Sequence, residues 1–302
     1  MTPTADTRAL FADALSRSAR SVEAELARLL PEPSGHQSVI MDAMRYAALG
    51  GGKRLRPFLV IETARLLGGR ADNALTVGCA LECLHVYSLV HDDLPCMDDD
   101  DLRRGKPTVH KAYDEAIAVL AGDGLLTRAF GLLGAEAAHD DPAVRARLVV
   151  ELARAGGAFG MIGGQVVDIT VAEGERDLAL ITELQAMKTG ALIRYACLAG
   201  ALISGADAHD IAAMERYSTA LGLAFQIQDD VLDVEGDIES MGKAVGKDAD
   251  MGKATFVSTL GLEGAKAKAK TLGDTAKAAL APYGEKAQTL AGAVDFVLHR
   301  TH

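Results

Sequence analysis

Apolar residues recur at three- to five-residue steps along most of the chain. Leu10, Ala14, Ala19, Val22, Leu26 and Leu29 form the first such stripe, and Pro31 with Pro33 ends it, because proline lacks the amide donor a helix interior needs. The same period covers about Leu75 to Val90, Ala143 to Ile169, Asp177 to Ile203 and Ile211 to Val234. Gly50-Gly51-Gly52, Gly68-Gly69, Gly205 and Gly236 punctuate the helical segments. No alternating run that would mark a strand exceeds four residues. From Gly264 to Leu290 the chain is rich in Ala and Lys, which reads as helix with a solvated charged face. The pattern predicts an all-α protein, a multi-helix bundle around a central cavity. No composition shift or linker divides the 302 residues, so a single domain over 1–302 is expected.

Two acidic clusters interrupt this apolar background. The first runs Asp92-Asp93-Leu94-Pro95-Cys96-Met97-Asp98 and continues through Asp99, Asp100 and Asp101; the second is Asp229-Asp230-Val231-Leu232-Asp233. Asp229 and Asp233 are four residues apart and share a helix face. Asp92 and Asp98 would not align on an unbroken helix. Pro95 disfavours helical geometry at Leu94, so the helix should end there and let Asp98 fold back towards Asp92. Carboxylates gathered without partners repel one another, and buried ones protonate. A hard divalent cation removes the conflict, and Mg²⁺ completes its shell with water and phosphate oxygens. A solvated charge run is the plain alternative for either cluster alone; two clusters, each ending an apolar helix and each followed by cations, favour a metal-diphosphate clamp.

The cations fall in order. Lys53, Arg54 and Arg56 follow the Gly50-Gly51-Gly52 turn, Arg103 and Arg104 follow the first cluster, and Lys243, Lys247 and Lys253 follow the second. Glycine lets backbone approach a phosphate, and arginine offers a planar donor fork. Taken singly, these read equally well as surface charge. His85 lies seven residues before Asp92, nearly on the same helix face. Gly163 and Gly164 stand inside a helical pattern before Gln165 and Asp168; close ligand approach and close helix packing both explain them.

Composition narrows the function classes. Lys plus Arg is 31 against 42 Asp plus Glu, a formal charge of −11. No basic stripe remains to neutralise nucleic-acid phosphates. The four cysteines, Cys79, Cys83, Cys96 and Cys197, form no C-x-x-C pair, which suits reduced thiols in a cytoplasmic protein. The N-terminal segment carries Asp6, Asp13, Glu23 and Glu25 and does not read as a signal peptide. Ala191 to Ile203, the most apolar stretch, is short and holds Arg194, so no membrane span is expected.

From about Met44 to the C-terminus, the residues together resemble the trans-isoprenyl diphosphate synthase family, most of all its bacterial farnesyl diphosphate synthases. The resemblance rests on GGKRLRP at Gly51 to Pro57, LECLHVYSLVHDDLPCMDDDDLRRGKPT at Leu81 to Thr108, GMIGGQVVDI at Gly160 to Ile169, MKTGALI at Met187 to Ile193 and FQIQDDVLD at Phe225 to Asp233. It implies Asp92, Asp98 and Asp229 as main magnesium ligands, with Asp93, Asp230 and Asp233 in support. It implies three Mg²⁺ per active site, with Mn²⁺ as the alternative. By the same resemblance Lys53, Arg56, His85 and Arg104 bind the diphosphate of isopentenyl diphosphate. Arg103, Lys188, Lys243 and Lys253 bind the allylic diphosphate, and Thr189 and Gln226 lie by the reacting allylic carbons. A homodimer is the family expectation. Leu81, Leu84 and Leu89 offer apolar faces for a dry pocket around the prenyl tail.

A terpene cyclase would replace the second cluster with mixed ligands and needs no second diphosphate site; a non-catalytic partner subunit would lose one cluster. Both clusters are intact. Product length turns on the residues just before Asp92. Ser88 lies most directly under Asp92 on an ideal helix but is too small to close a pocket, whereas the neighbouring Tyr87 offers a bulky wall. By the resemblance, an aromatic at this fifth position before the motif goes with short products, and a first motif lengthened by two residues looks like the bacterial farnesyl type, which together imply a fifteen-carbon product. A twenty-carbon product is the alternative.

Overall fold

A computed structural model of the chain describes residues 5–172, 175–235 and 255–300. Among these the chain is helical nearly throughout. In order come α1 (Ala5–Leu29), α2 (Ser38–Ala48), α3 (Leu55–Leu66), α4 (Ala71–Asp92), a two-stranded hairpin of β1 (Leu102–Arg103) and β2 (Lys106–Pro107), α5 (Val109–Ala112), α6 (Glu115–Gly134), α7 (Pro142–Gly156), α8 (Met161–Thr170) and α9 (Leu178–Gln185). A π turn (Ala186–Gly190), α10 (Ala191–Ile203), α11 (Ala208–Glu235), α12 (Phe256–Leu260), α13 (Leu262–Leu280), a 3₁₀ segment (Ala281–Ala287) and α14 (Gln288–His299) complete it. The all-α expectation is met.

Three long segments break where the periodicity alone ran on. The stripe over 143–169 divides at Gly157–Gly160 into α7 and α8. The stripe over 177–203 carries the π turn, and Pro282 with the positive-φ Gly284 separates α13 from α14. Two compact units emerge: one holds residues 1–12, 151–198 and 206–302, the other residues 13–150 and 199–205.

In the second of these units α4 is buried on every side, with Val77, Ala80, Leu81, Cys83 and Leu84 all closed off from solvent. A helix apolar all round must be a core element. Gly78 lets it approach α3, since a Cβ there would meet Pro57 at 3.2 Å. Leu81 and Leu84 are therefore core residues and do not line a tail pocket; Leu89 borders a cavity of only about 50 Å³. In the other unit the buried residues Met214, Tyr217, Leu221, Ala224, Ile227 and Val231 recur along α11. The alanines Ala265, Ala269 and Ala276 of α13 are buried, while Lys266, Lys268 and Lys270 line its wetter side. The Ala/Lys pattern is used as the sequence implied.

Apolar runs extend further than the reading of Ala191 to Ile203 as the most apolar stretch allowed. Ala71–Asp92, Glu115–Gly134 and the run Leu178–Ile203 are each long and apolar enough to cross a membrane by length and composition. The third of these runs joins α9, the π turn and α10 end to end. In α4 and in Leu178–Ile203 most of the apolar window is packed inside the protein.

Arg54 shows what the fold does with charge. It stands in the left-handed region at φ 50° just before α3 and is 3% exposed. Its guanidinium donates to Glu82 at 2.6 Å, to Glu23 at 2.6 Å and to the Ala48 carbonyl at 2.5 Å. Burial disfavours its charge, but the two carboxylates outweigh that and raise its pKa. Of the three cations after the glycine turn, this one belongs to the core. Arg54→Ala strands the buried Glu82 and should cost about 3–5 kcal/mol of stability, measured by urea denaturation. A loss below about 1 kcal/mol would show that the triad is not a structural tie.

Candidate active site

The first acidic cluster folds as its proline requires. The helix α4 ends at Asp92, and the Asp98 amide donates back to the Asp92 carbonyl at 2.8 Å. Asp99 takes a left-handed φ of 49° to make the turn. Among the described residues Arg54, Asp99 and Arg104 are the three non-glycine positions with positive φ, and such strain collects where geometry is functionally constrained. Asp93 is 3% exposed and faces away from solvent into the Arg103 guanidinium, whose Nε lies 2.7 and 2.9 Å from its two oxygens. Arg103 also reaches Asp100 at 3.3 Å. The hairpin that carries Arg103 is tied to the same loop by the Thr108 hydroxyl, which donates to the Asp100 carbonyl at 2.9 Å. Asp93 thus positions Arg103, while Asp98 is exposed and Asp92 half-buried.

Beside this loop lies a cluster of nitrogen donors. Arg56 is 3.2 Å from Nε2 of His85. Arginine has only donors, so Nε2 accepts and the proton sits on Nδ1. Burial, then the charges of Arg56 and Arg104, push the His85 pKa well below 6.5 and keep the ring neutral. Arg104 donates to the Gly51 carbonyl. Gly52 takes φ 128°, a conformation L side chains rarely adopt, so glycine is favoured there, and a Cβ would also press on the Arg104 guanidinium at 2.6 Å. Lys53 is exposed on the same turn. Tyr87 is 5% exposed and meets His91 edge-on at 5.6 Å; burial, with Asp92 nearby, pushes its hydroxyl up to about 12. The Ser88 hydroxyl is turned onto its own helix and donates to the His85 carbonyl at 2.8 Å.

The second cluster occupies the C-terminal part of α11 in the other unit. Asp230 is 6% exposed; its carboxylate accepts from the Gln226 amide at 3.3 Å and from the Phe256 amide at 2.8 Å. Asp229 accepts from Arg300 at 2.5 Å, and Asp233 is half-buried. Gln226 also receives the Thr189 hydroxyl at 3.1 Å. Thr189 and Lys188 both ride on the π turn, a distortion that often marks functional sites. Lys188 donates to Asp168 at 2.6 Å. A Cβ on Gly164 would sit 2.5 Å from the Lys188 backbone nitrogen, which decides for close helix packing as the reason for that glycine. Lys243, Lys247 and Lys253 lie outside the described residues. Arg176 and Arg300, which the sequence did not single out, both touch site carboxylates. Nothing local marked either one, because each lies at a non-helical position outside the motifs.

A model of the polyprenyl synthetase family matches residues 37–291. The chain belongs to the polyprenyl synthetase family. It is 47% identical over 261 residues to a farnesyl diphosphate synthase of Geobacillus stearothermophilus, covering 84% of this chain and 86% of that one. A geranylgeranyl diphosphate synthase of Cyanophora paradoxa is 40% identical over 272 residues, covering 89% and 90%. A solved FPP/GFPP synthase of Zymomonas mobilis superposes with a TM-score of 0.87 at 43% identity, covering 97% of this chain and all of that one. The helical architecture is thus the all-α isoprenoid synthase fold of the polyprenyl synthetases.

The neutral His85 makes a pH prediction. Its folded pKa lies below 6.5, so the unfolded chain binds the proton first as pH falls. Its contribution to stability is present above pH 6.5 and is lost as pH drops from there towards the folded pKa. Thermal unfolding at stepped pH should show His85→Gln to be less acid-sensitive than wild type in that window. Equal acid sensitivity would show that His85 is not held neutral.

Proposed function

We propose that this chain is a magnesium-dependent prenyltransferase. It condenses isopentenyl diphosphate head to tail with dimethylallyl or geranyl diphosphate and releases (2E,6E)-farnesyl diphosphate and diphosphate. The observation that carries the reading is the Arg56–His85–Arg104 group on its glycine turn. It offers a diphosphate site, and a cyclase, with one diphosphate to bind, has no use for a second. With Lys53 it takes the diphosphate of isopentenyl diphosphate.

The allylic diphosphate falls to Arg103, Lys188, Lys243 and Lys253. Arginine and lysine donors stabilise charge that grows on the leaving group as the carbon–oxygen bond breaks. Thr189 and Gln226 bring neutral oxygen dipoles beside Lys188, suited to positive charge on the allylic carbons. The double bond of isopentenyl diphosphate attacks the allylic cation, and the departing diphosphate takes a proton from the carbon beside the resulting cationic centre to form the new double bond, so no side-chain base is required.

The donor chemistry at the two acidic clusters fits a hard divalent cation. Asp92, Asp98, Asp229 and Asp233 offer partly or fully accessible carboxylate oxygens, which suit Mg²⁺ with its retained waters. Asp93 and Asp230 are engaged by N–H donors and support their neighbours. Three Mg²⁺, replaceable by Mn²⁺, supply Lewis-acid stabilisation of the diphosphate when bound. We place the protein in the cytoplasm, in keeping with four cysteines that are in no disulfide, and assign it as a homodimer. The apolar α6, which leaves Val119 and Leu120 exposed, supplies a face for the second copy.

Asp92→Ala and Asp229→Ala should each lower turnover by about 10²–10³-fold or more while the circular dichroism spectrum stays native, and EDTA should abolish wild-type activity. Near-normal turnover in either variant would remove the metal clamp.

Product length tests the Tyr87 wall. Tyr87→Ala should move the main product from fifteen carbons to twenty or more, read by chromatography of the dephosphorylated products. A wild-type product of twenty carbons would instead favour the geranylgeranyl reading that the Cyanophora paradoxa relative supports.

A further inference from the structure

Asp168, near the end of α8, lies between two cations. Its Oδ2 accepts from Lys188 Nζ at 2.6 Å, and its Oδ1 from Arg176 at 3.1 Å. Arg176 does more than neutralise it. The same guanidinium donates to the Asp168 carbonyl at 2.5 Å and to the Val171 carbonyl at 3.0 and 3.2 Å. Those carbonyls belong to the last turn of α8, where a helix has acceptors but no internal donors to meet them. One planar fork therefore closes the helix end and fixes the carboxylate that grips Lys188. The three side chains are 7%, 13% and 31% exposed for Arg176, Asp168 and Lys188, so the chain of contacts opens to solvent only towards the lysine.

We propose that Arg176 is a positioning residue for the allylic diphosphate, acting on Lys188 through Asp168. The inference rests on the phosphate role given to Lys188 above. A carboxylate beside a phosphate-binding lysine has two effects: it orients the ammonium, and it competes with the phosphate for it. Arg176 settles the competition. By sharing Asp168 it takes part of the carboxylate charge, so Lys188 is aimed by Asp168 yet can turn its donors to an incoming diphosphate. Without Arg176, Lys188 carries more of the neutralisation of Asp168, and its transfer to phosphate costs more. Lysine at position 176 would keep the charge but lose the fork that spans carboxylate and carbonyls.

The test uses the full-length enzyme with Mg²⁺ and both substrates. Arg176→Ala should raise KM for geranyl diphosphate about tenfold and leave KM for isopentenyl diphosphate within twofold. Arg176→Lys should recover part of the loss. Calorimetric titration with inorganic diphosphate and Mg²⁺ should show weaker binding by a similar factor. Adding Asp168→Asn to Arg176→Ala removes the competing charge and should bring KM for geranyl diphosphate back towards wild type. A merely structural cap would not give that rescue. Thermal unfolding of each variant separates misfolding from the effect sought, and if Arg176→Ala fails to fold, Arg176→Lys and Asp168→Asn carry the comparison. Lys188→Ala distinguishes the two readings. If it leaves the geranyl diphosphate KM unchanged, the phosphate role of Lys188 fails. If it raises that KM while Arg176→Ala does not, or while Arg176→Ala raises both KM values equally, the positioning role alone is overturned.

Discussion

Carboxylates crowded at the ends of apolar helices repel one another, and the structure answers by giving each buried one a positive or N–H partner. Asp93 has Arg103, Asp230 has the Phe256 amide and the Gln226 side chain, Asp168 has Arg176 and Lys188, and Glu82 has Arg54. A buried carboxylate without such a partner would take up a proton or destabilise the fold. Within the two acidic clusters this pairing also sorts the aspartates. Asp93 and Asp230 are committed to protein donors, and Asp98 remains at the surface.

The helices make the sorting possible. An all-apolar α4 can be driven to the centre of its unit, and its last turn then carries Asp92 and Asp93 to the edge of that core. On α11 the buried stripe ends among the acidic residues in the same way. Glycines set the tolerances: Gly52 admits the Arg104 guanidinium, and Gly164 admits the Lys188 backbone. Both contacts place a cation rather than fill a core. The chain carries a formal charge of −11, so these local groupings, and not the global field, are what an anionic substrate would meet.

Much of this was legible along the chain. Helical periodicity, the stop at Pro95 and the return of Asp98 towards Asp92 follow from backbone rules that act within a few residues, and the structure shows each. The Ala/Lys face of α13 is of the same kind. Periodicity overran at Gly157 to Gly160 and at the π turn, since an apolar stripe continues through a short break without changing its spacing. Leu81 and Leu84 were legible as apolar but not as core, because the identity of the surface they pack against lies on other helices.

The sequence by itself determined the helical class, the two acidic clusters and the residue types able to hold metal and diphosphate, because these depend on side-chain chemistry and short-range spacing. Only the tertiary structure decided which charges are spent internally. Arg54 and Arg56 stand two residues apart after one glycine turn; one is locked to Glu23 and Glu82, while the other donates to a neutral His85. Arg300 gains Asp229, 71 residues away in the chain, in the same way. Ion pairing depends on distance in space, and residues far apart in the chain supply those partners.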